Sequence, residues 1–378
     1  MGHSPVSEVC DVVVAGGGIV GAACAMEFAG AGIKTALVEP GMWGGGATAA
    51  GMGHLAVMDD SEAQFALCRY SQLLWNELKD RLPPEIEYEQ CGVVWVAADD
   101  EEMREVHRKH AFFAARQTPS EILDARALAE AEPNLRPGLA GGLLVSEDAV
   151  IYPPCAARIF ALEARNRGAV LMPGRSVAAF NREGVELDDG ACISAGALVV
   201  AAGASVPRLV PAVKILPRKG HLVITDRYPG FVRHQLIELG YLKNAHATES
   251  DSVAFNVQPR KTGQVLIGSS RQFGVQDRSI DSEMVSAMLK RAVEYMPGLR
   301  SLSAIRTWTG VRAATSDNLP LIGKCPGYDN VYLAGGHEGL GISMSMGTAR
   351  LLTDMLLERE TAIPAGPYSP ARVEGNLQ

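Results

Sequence analysis

At 378 residues the chain exceeds one ordinary domain, so two lobes are expected, and its 47% hydrophobic content suffices for a packed interior. A formal charge of −8 with no Lys/Arg block argues against nucleic acid or an anionic membrane as the main partner, so an acidic substrate would have to be met by a local cation. Seven scattered cysteines without metal-ligand spacing read as reduced thiols with no metal, residues 1–9 are too short and polar for a signal peptide, and no apolar run reaches membrane length, which together read as cytoplasmic with no transmembrane segment.

The first pattern is Asp11 to Gly21, DVVVAGGGIVG: an apolar run enters a turn on Gly16, Gly18 and Gly21, and an Ala-rich helix follows. Gly16 permits the tight turn, Gly18 lets the backbone approach a pyrophosphate, and Gly21 lets helix and strand pack closely. Amides at the helix start, around Ile19 and Val20, favour the phosphate charge. The second strand, Thr35 to Val38, ends at Glu39 and Pro40, where the carboxylate is placed to accept ribose hydroxyls; an acid here favours FAD or NAD over NADP.

Residues 41–57, GMWGGGATAAGMGHLAV, are too glycine-rich for a third strand and read as a small-residue loop alongside an extended ligand. Helical spacing through Phe65, Leu67, Tyr70, Leu74 and Leu78 marks an amphipathic helix over 61–81. Extended segments at 86–98 and before Ile151 lie outside the nucleotide lobe, Pro153 and Pro154 open a helix to Asn166, and the strands and hairpin through ALVVAAGA return to that lobe. Short strands from Val213 to Arg271 predict a mostly antiparallel sheet. A helix over 281–296, a strand Ala304 to Val311, a strand Asn330 to Ala334, and GGHEGLG opening a long helix follow, and the tail from Ile363 reads as loosely ordered.

Taken together, GGGIVG at 16–21, GGGATAAG at 44–51, VVAAGA at 199–204, WTGVRAATSDNLPLIG at 308–323 and GGHEGLG at 335–341 resemble the D-amino-acid oxidase-like superfamily of FAD-dependent oxidoreductases, which includes glycine and sarcosine oxidases. The fold expected is α/β (α+β, two-lobed): a Rossmann-like FAD-binding lobe gathered from 1–85, 151–212 and 305–378, with an inserted, mostly antiparallel substrate lobe from 86–150 and 213–304. The resemblance implies FAD between the lobes and oxidation of a C–N bond next to a carboxylate. Noncovalent FAD is expected, because TWTGVRAATS lacks the cysteine of sarcosine oxidases.

HEGLG and IYPP at 151–154 look more like the β-subunits of heteromeric bacterial amino-acid dehydrogenases acting on D-hydroxyproline, proline or opines, which implies a partner subunit or other electron acceptor. Leu266 stands where sarcosine oxidases place an oxygen-activating lysine, which favours a dehydrogenase over an oxidase. The expected substrate is an amino or imino acid with a secondary amine. An opine-cleaving enzyme with a roomier, more basic pocket, a glycine/sarcosine oxidase-like enzyme and an electron-relay flavoprotein subunit are the alternatives.

On this resemblance Arg312 binds the substrate carboxylate through its guanidinium fork; the alternative is an ion pair with Asp317, and Ala313 departs from the proline common there. Gly45, Gly46, Ala47, Thr48, Gly51, Met52, Gly53 and His54 would run along the cofactor, and His54 could accept the amine proton or be structural. Gly336, His337, Gly339, Leu340, Gly341 and Ile342 would present backbone amides to the flavin, with His337 either part of this or bonded to its neighbours. Val177, Ala202 and Gly203 would lie by the adenine end. His221, Tyr241 and Phe255 are candidates for facing the substrate, with core or surface packing as the alternative for each.

Overall fold

The computed structural model describes residues 8–240 and 251–376. Val12, Val13 and Val14 are buried on both faces of the first strand, Glu8–Ala15, as a central parallel strand requires. Around it the sheet order is Leu321–Lys324, Val331–Gly335, Cys192–Val200, Glu8–Ala15, Thr35–Glu39 and Val170–Pro173, parallel except for the edge strand Leu321–Lys324. Val177–Phe180 and Gly184–Leu187 attach to it as antiparallel strands. The Ala-rich helix Ile19–Gly30 packs on the sheet between helices Pro153–Asn166 and Gly341–Leu356.

The second sheet has nine strands: His337–Glu338, Ala304–Ala314, Leu216–Arg227, Gln264–Phe273, Ser252–Pro259, Gln235–Glu238, Val93–Ala97, Gly141–Val145 and Glu121–Asp124. Every pairing is antiparallel except that of Gln235–Glu238 with Val93–Ala97. Alternation decides its two faces. Val223, Phe255, Val257 and Ile267 pack under helix Ser282–Tyr295, with the Phe255 and Tyr295 rings stacked at 4.5 Å. Leu222, Leu266 and Trp308 point the other way, onto Met52. That second face is the one turned toward the glycine-rich segment of the first lobe.

Three local expectations change. The strand expected over Ala304 to Val311 runs on to Ala314, so Arg312 sits within the nine-stranded sheet and the chain crosses back to the parallel sheet after it. Residues 41–57 contain a helical turn, Gly46–Ala50, and a two-residue strand, His54–Leu55, paired with Ala149–Val150. The tail is docked, because Tyr368 is 1% exposed and donates its hydroxyl to the Ala63 carbonyl at 2.6 Å, while Arg372 pairs with Asp317 at 2.7 Å. Pro and Gly content in that tail set turns, and one buried aromatic was enough to anchor them.

Truncating this anchor, Tyr368→Ala, is expected to destabilise the protein by about 3–5 kcal/mol, the usual cost of removing a buried aromatic. Denaturant unfolding monitored by circular dichroism checks this; a change below about 1 kcal/mol would show that the tail contributes nothing to the fold.

Candidate active site

The glycine turn is built by close backbone approach. Gly16 has φ +114°, a conformation that side chains rarely adopt, and a Cβ at Gly21 would overlap the Gly16 carbonyl. Ala201 donates its amide to the Ala15 carbonyl at 2.9 Å, which sets Ala202 and Gly203 beside the same turn. The Ile19 amide, at the start of the helix, donates to Thr48 Oγ1 at 3.0 Å, and Val20 continues that first helical turn. Beside Pro40, Glu39 accepts from the Gly17 amide at 2.6 Å and from the Gly41 amide at 2.8 Å. A carboxylate offers about four lone-pair sites, so this one is fixed in place with acceptor capacity to spare. Val177 is half-buried in its edge hairpin.

Gly45 precedes the helical turn Gly46–Ala50, which carries Ala47 and Thr48, and Gly51, Met52, Gly53 and His54 follow it. This segment touches four other parts of the chain. Thr48 meets the glycine turn; Ser343 Oγ donates to the His54 carbonyl at 2.9 Å and accepts from the Ala56 amide at 3.2 Å; Gln258 Nε2 donates to the Met52 carbonyl at 2.8 Å. The fourth neighbour, Gly310, is a glycine where a Cβ would overlap Ala50.

Arg312 enters from the nine-stranded sheet. Its side chain crosses the neighbouring strand at Gly220, where a Cβ would stand 2.7 Å from Nη1, and Nη1 donates to the Ser270 carbonyl at 3.0 Å. Gly339 lies beside its Nε. Asp317 is taken up by Arg372, which removes the ion pair that was the alternative for Arg312. His54 is close enough to sense this cation: burial first, and the Arg312 charge second, lower its pKa to about 4. A weakly basic imidazole is a poor acceptor for an amine proton at neutral pH, which favours the structural alternative for His54.

In GGHEGLG, Gly336 turns the chain (φ +75°), and Leu340, Gly341 and Ile342 begin the helix Gly341–Leu356. His337 is buried, bonded through Nε2 to Thr348 Oγ1 at 3.0 Å, and burial lowers its pKa to about 4. His221 is also structural: it points to the helix-covered face, with Nδ1 on Ser270 Oγ at 2.9 Å and Nε2 accepting from the Asp281 amide at 3.1 Å. Phe255 belongs to the same covered core, and Tyr241 lies outside the described residues.

The residues missed by sequence reasoning are charged. Glu338 stands 3.3 Å from Arg271 and 3.6 Å from Arg218, and although burial pushes its carboxyl up, Arg271, Arg312 and Arg218 outweigh it and hold the pKa below the ordinary value. Arginines in strands are unremarkable in a sequence; only register brings these together.

FAD fits this arrangement on a direct observation. Asn256 Oδ1, Gln258 Oε1 and Trp308 Nε1 on the inward face of the nine-stranded sheet, and His54 Nε2 on the segment that carries Met52, are buried without a hydrogen-bond partner. Each such group costs about 1–3 kcal/mol, a cost that a polar ligand between the sheets would relieve. The turn at Gly16–Gly21 and the Glu39 carboxylate supply the nucleotide end.

A parallel sheet with this turn, a second sheet folded over it and an arginine between them define a two-lobed flavoenzyme. The chain belongs to the DAO family of FAD dependent oxidoreductases, which matches residues 11–355, and it is an FAD-dependent enzyme that oxidises C–N amine donors. It is 28% identical to a glycine oxidase of Geobacillus kaustophilus, covering 97% of this chain and 98% of that protein. It is 27% identical to the hydrogen cyanide synthase subunit HcnC of Pseudomonas aeruginosa, covering 96% of each. A crystal structure of the Geobacillus kaustophilus glycine oxidase superposes with a TM-score of 0.87 at 26% identity, over 97% of this chain and 99% of that one. No described helix is long and apolar enough to cross a membrane.

Two outcomes are expected. Gly21→Ala should yield protein with little bound flavin, read from the ratio of visible to ultraviolet absorbance; full flavin content would refute the need for close approach at the turn. His337, neutral when folded and with an ordinary pKa of 6.5 when unfolded, contributes stability in full above about pH 6.5 and loses it as pH falls toward about 4. Thermal midpoints of wild type should therefore drop more steeply across that window than those of His337→Gln, and parallel curves would contradict the assignment.

Proposed function

We propose that the enzyme oxidises the C–N bond of an amino acid with a secondary amine to the imine and passes the electrons to an acceptor other than oxygen. D-hydroxyproline and proline are the compact members of that substrate class. The observation that carries the reading is Arg312, a half-buried guanidinium tied by Nη1 to a neutral carbonyl, with no carboxylate of its own among the described residues. Its remaining donors match the two oxygens of a carboxylate, and the tie to Ser270 fixes the direction from which the acid must approach.

FAD, when bound, supplies the two-electron acceptor. Gly16, Gly18, Ile19, Val20, Gly21, Glu39 and Pro40 would hold its nucleotide end with Val177, Ala202 and Gly203, while 45–54 and 336–342 would flank the ring. Arg312 binds and orients the substrate acid. His54, kept neutral, adds no second positive charge beside the amine. The N-terminal end of helix Gly341–Leu356 favours negative charge developing near it. Together with orientation by Arg312, this is the chain's contribution to the rate.

For the acceptor, Leu266 is 3% exposed and packed with Met52 and Leu222, so this position holds no cation. The subunit status in the name of the HcnC relative supports transfer to a partner protein. The glycine oxidases among the relatives favour a second reading, in which a small primary or secondary amine is oxidised with oxygen.

Arg312→Ala is expected to lower kcat/KM at least about thirtyfold, in line with about 2–5 kcal/mol for removing one partner of a desolvated charge pair, in assays normalised to flavin content. Wild-type turnover should be supported by a dye acceptor with little peroxide formed. Unchanged turnover in Arg312→Ala defeats the carboxylate assignment, and peroxide stoichiometric with imine selects the oxidase reading.

A further inference from the structure

We propose that the substrate carries a second carboxylate and that Arg218 receives it. The inference rests on the C–N oxidation proposed above and narrows its substrate class to dicarboxylic amino acids, with N-carboxyalkyl amino acids the form that keeps the secondary amine.

Arg218 and Arg312 are directly paired in the register of two adjacent antiparallel strands. Residues so placed have Cβ atoms about 5 Å apart on one face, and like charges there destabilise a sheet. Here the cost is raised further because both side chains lie in the seam between the lobes: Arg218 is only 12% exposed. Two cations held together in this way are stable when an anion joins them. Among the described residues the one carboxylate within ion-pair distance of this group is Glu338, and it is nearer Arg271, at 3.3 Å, than Arg218, at 3.6 Å. Among the described residues Glu338 thus pairs with Arg271 and Arg218, and these two together with Arg312 hold its pKa below the ordinary value.

The Arg218 guanidinium is nevertheless fixed. It lies over the Phe273 ring at 5.2 Å and donates through Nη1 to the neutral Asn318 side chain at 2.8 Å, while its buried Nε has no hydrogen-bond partner. A purely structural arginine would be matched by the carboxylate it serves. This one is positioned mainly by neutral groups, shares Glu338 at 3.6 Å with Arg271, and keeps a buried Nε donor without a partner. With the first carboxylate on Arg312, a molecule spanning one cross-strand step brings its second acid to Arg218.

The test uses the FAD-loaded enzyme with a dye acceptor, comparing iminodiacetate and glutamate with sarcosine, glycine and proline. A dicarboxylate should exceed the best monocarboxylate in kcat/KM by at least about tenfold, and Arg218→Gln should reduce that ratio by about tenfold or more, with Arg218→Lys restoring part of it. Preference for iminodiacetate puts the second acid on nitrogen and preference for glutamate puts it on the side chain; either supports the proposal. A binding readout independent of turnover is the shift of the flavin spectrum on titration with glutarate against butyrate, where glutarate should bind at least about tenfold more tightly. This arm needs no variant and stands if Arg218→Gln fails to fold. Equal kcat/KM for mono- and dicarboxylates, equal binding of glutarate and butyrate, or an unchanged ratio in a folded Arg218→Gln overturns the assignment. If no amine at all bleaches the flavin, the proposed oxidation fails; if monocarboxylates bleach it as well as dicarboxylates, only this inference fails.

Discussion

The segment from Gly46 to His54 has to touch both sheets at once, and the rest of the architecture is arranged around that demand. Its Thr48 hydroxyl receives the first amide of the nucleotide helix, its backbone is held by Ser343 from the last helix, and its Met52 carbonyl takes a hydrogen bond from Gln258 in the nine-stranded sheet. Contacts this close are possible only where side chains are absent or small, as at Gly310 opposite Ala50. A bulky residue at that point would push the two sheets apart.

Charge in that space is arranged with equal economy. Desolvation holds the His54 and His337 pKa values down, so arginines provide the positive potential. Gly220 lets Arg312 lie across its neighbouring strand, and Glu338 at the head of the last helix restrains the other two guanidinium groups. The last third of the chain therefore supplies both Arg312, the cation to which the proposed function gives the substrate acid, and the carboxylate that moderates the cluster. His337, conspicuous in the motif, is a packing residue between them.

Much of the nucleotide lobe was legible because its signals are local. Strand, glycine turn, helix and strand-end acid occur within residues 11–39 and need only backbone chemistry to be recognised. The amphipathic helix Glu62–Leu78 and the helix capped by Asp281 were equally plain, since apolar spacing and a capping side chain act within a few residues. The docked tail was not, because one tyrosine finding the Ala63 carbonyl is invisible to composition. For His221 the sequence leaves substrate-facing and packed positions open, because a strand displays residues to both faces and sequence does not say which face a helix will cover; the structure puts it under the helix.

The sequence by itself thus determined the glycine turn after the first strand and, through motifs in fixed order, the class of cofactor, which depend on neighbours close in sequence. Tertiary structure alone decided which histidines are silenced by burial, that Arg312 is free of Asp317, and that Arg218, Arg271 and Glu338 meet beside it. Those outcomes follow from cross-strand register and from the proximity of charges in a desolvated seam, and such quantities do not exist until residues more than a hundred positions apart, such as Arg218 and Glu338, have been brought together.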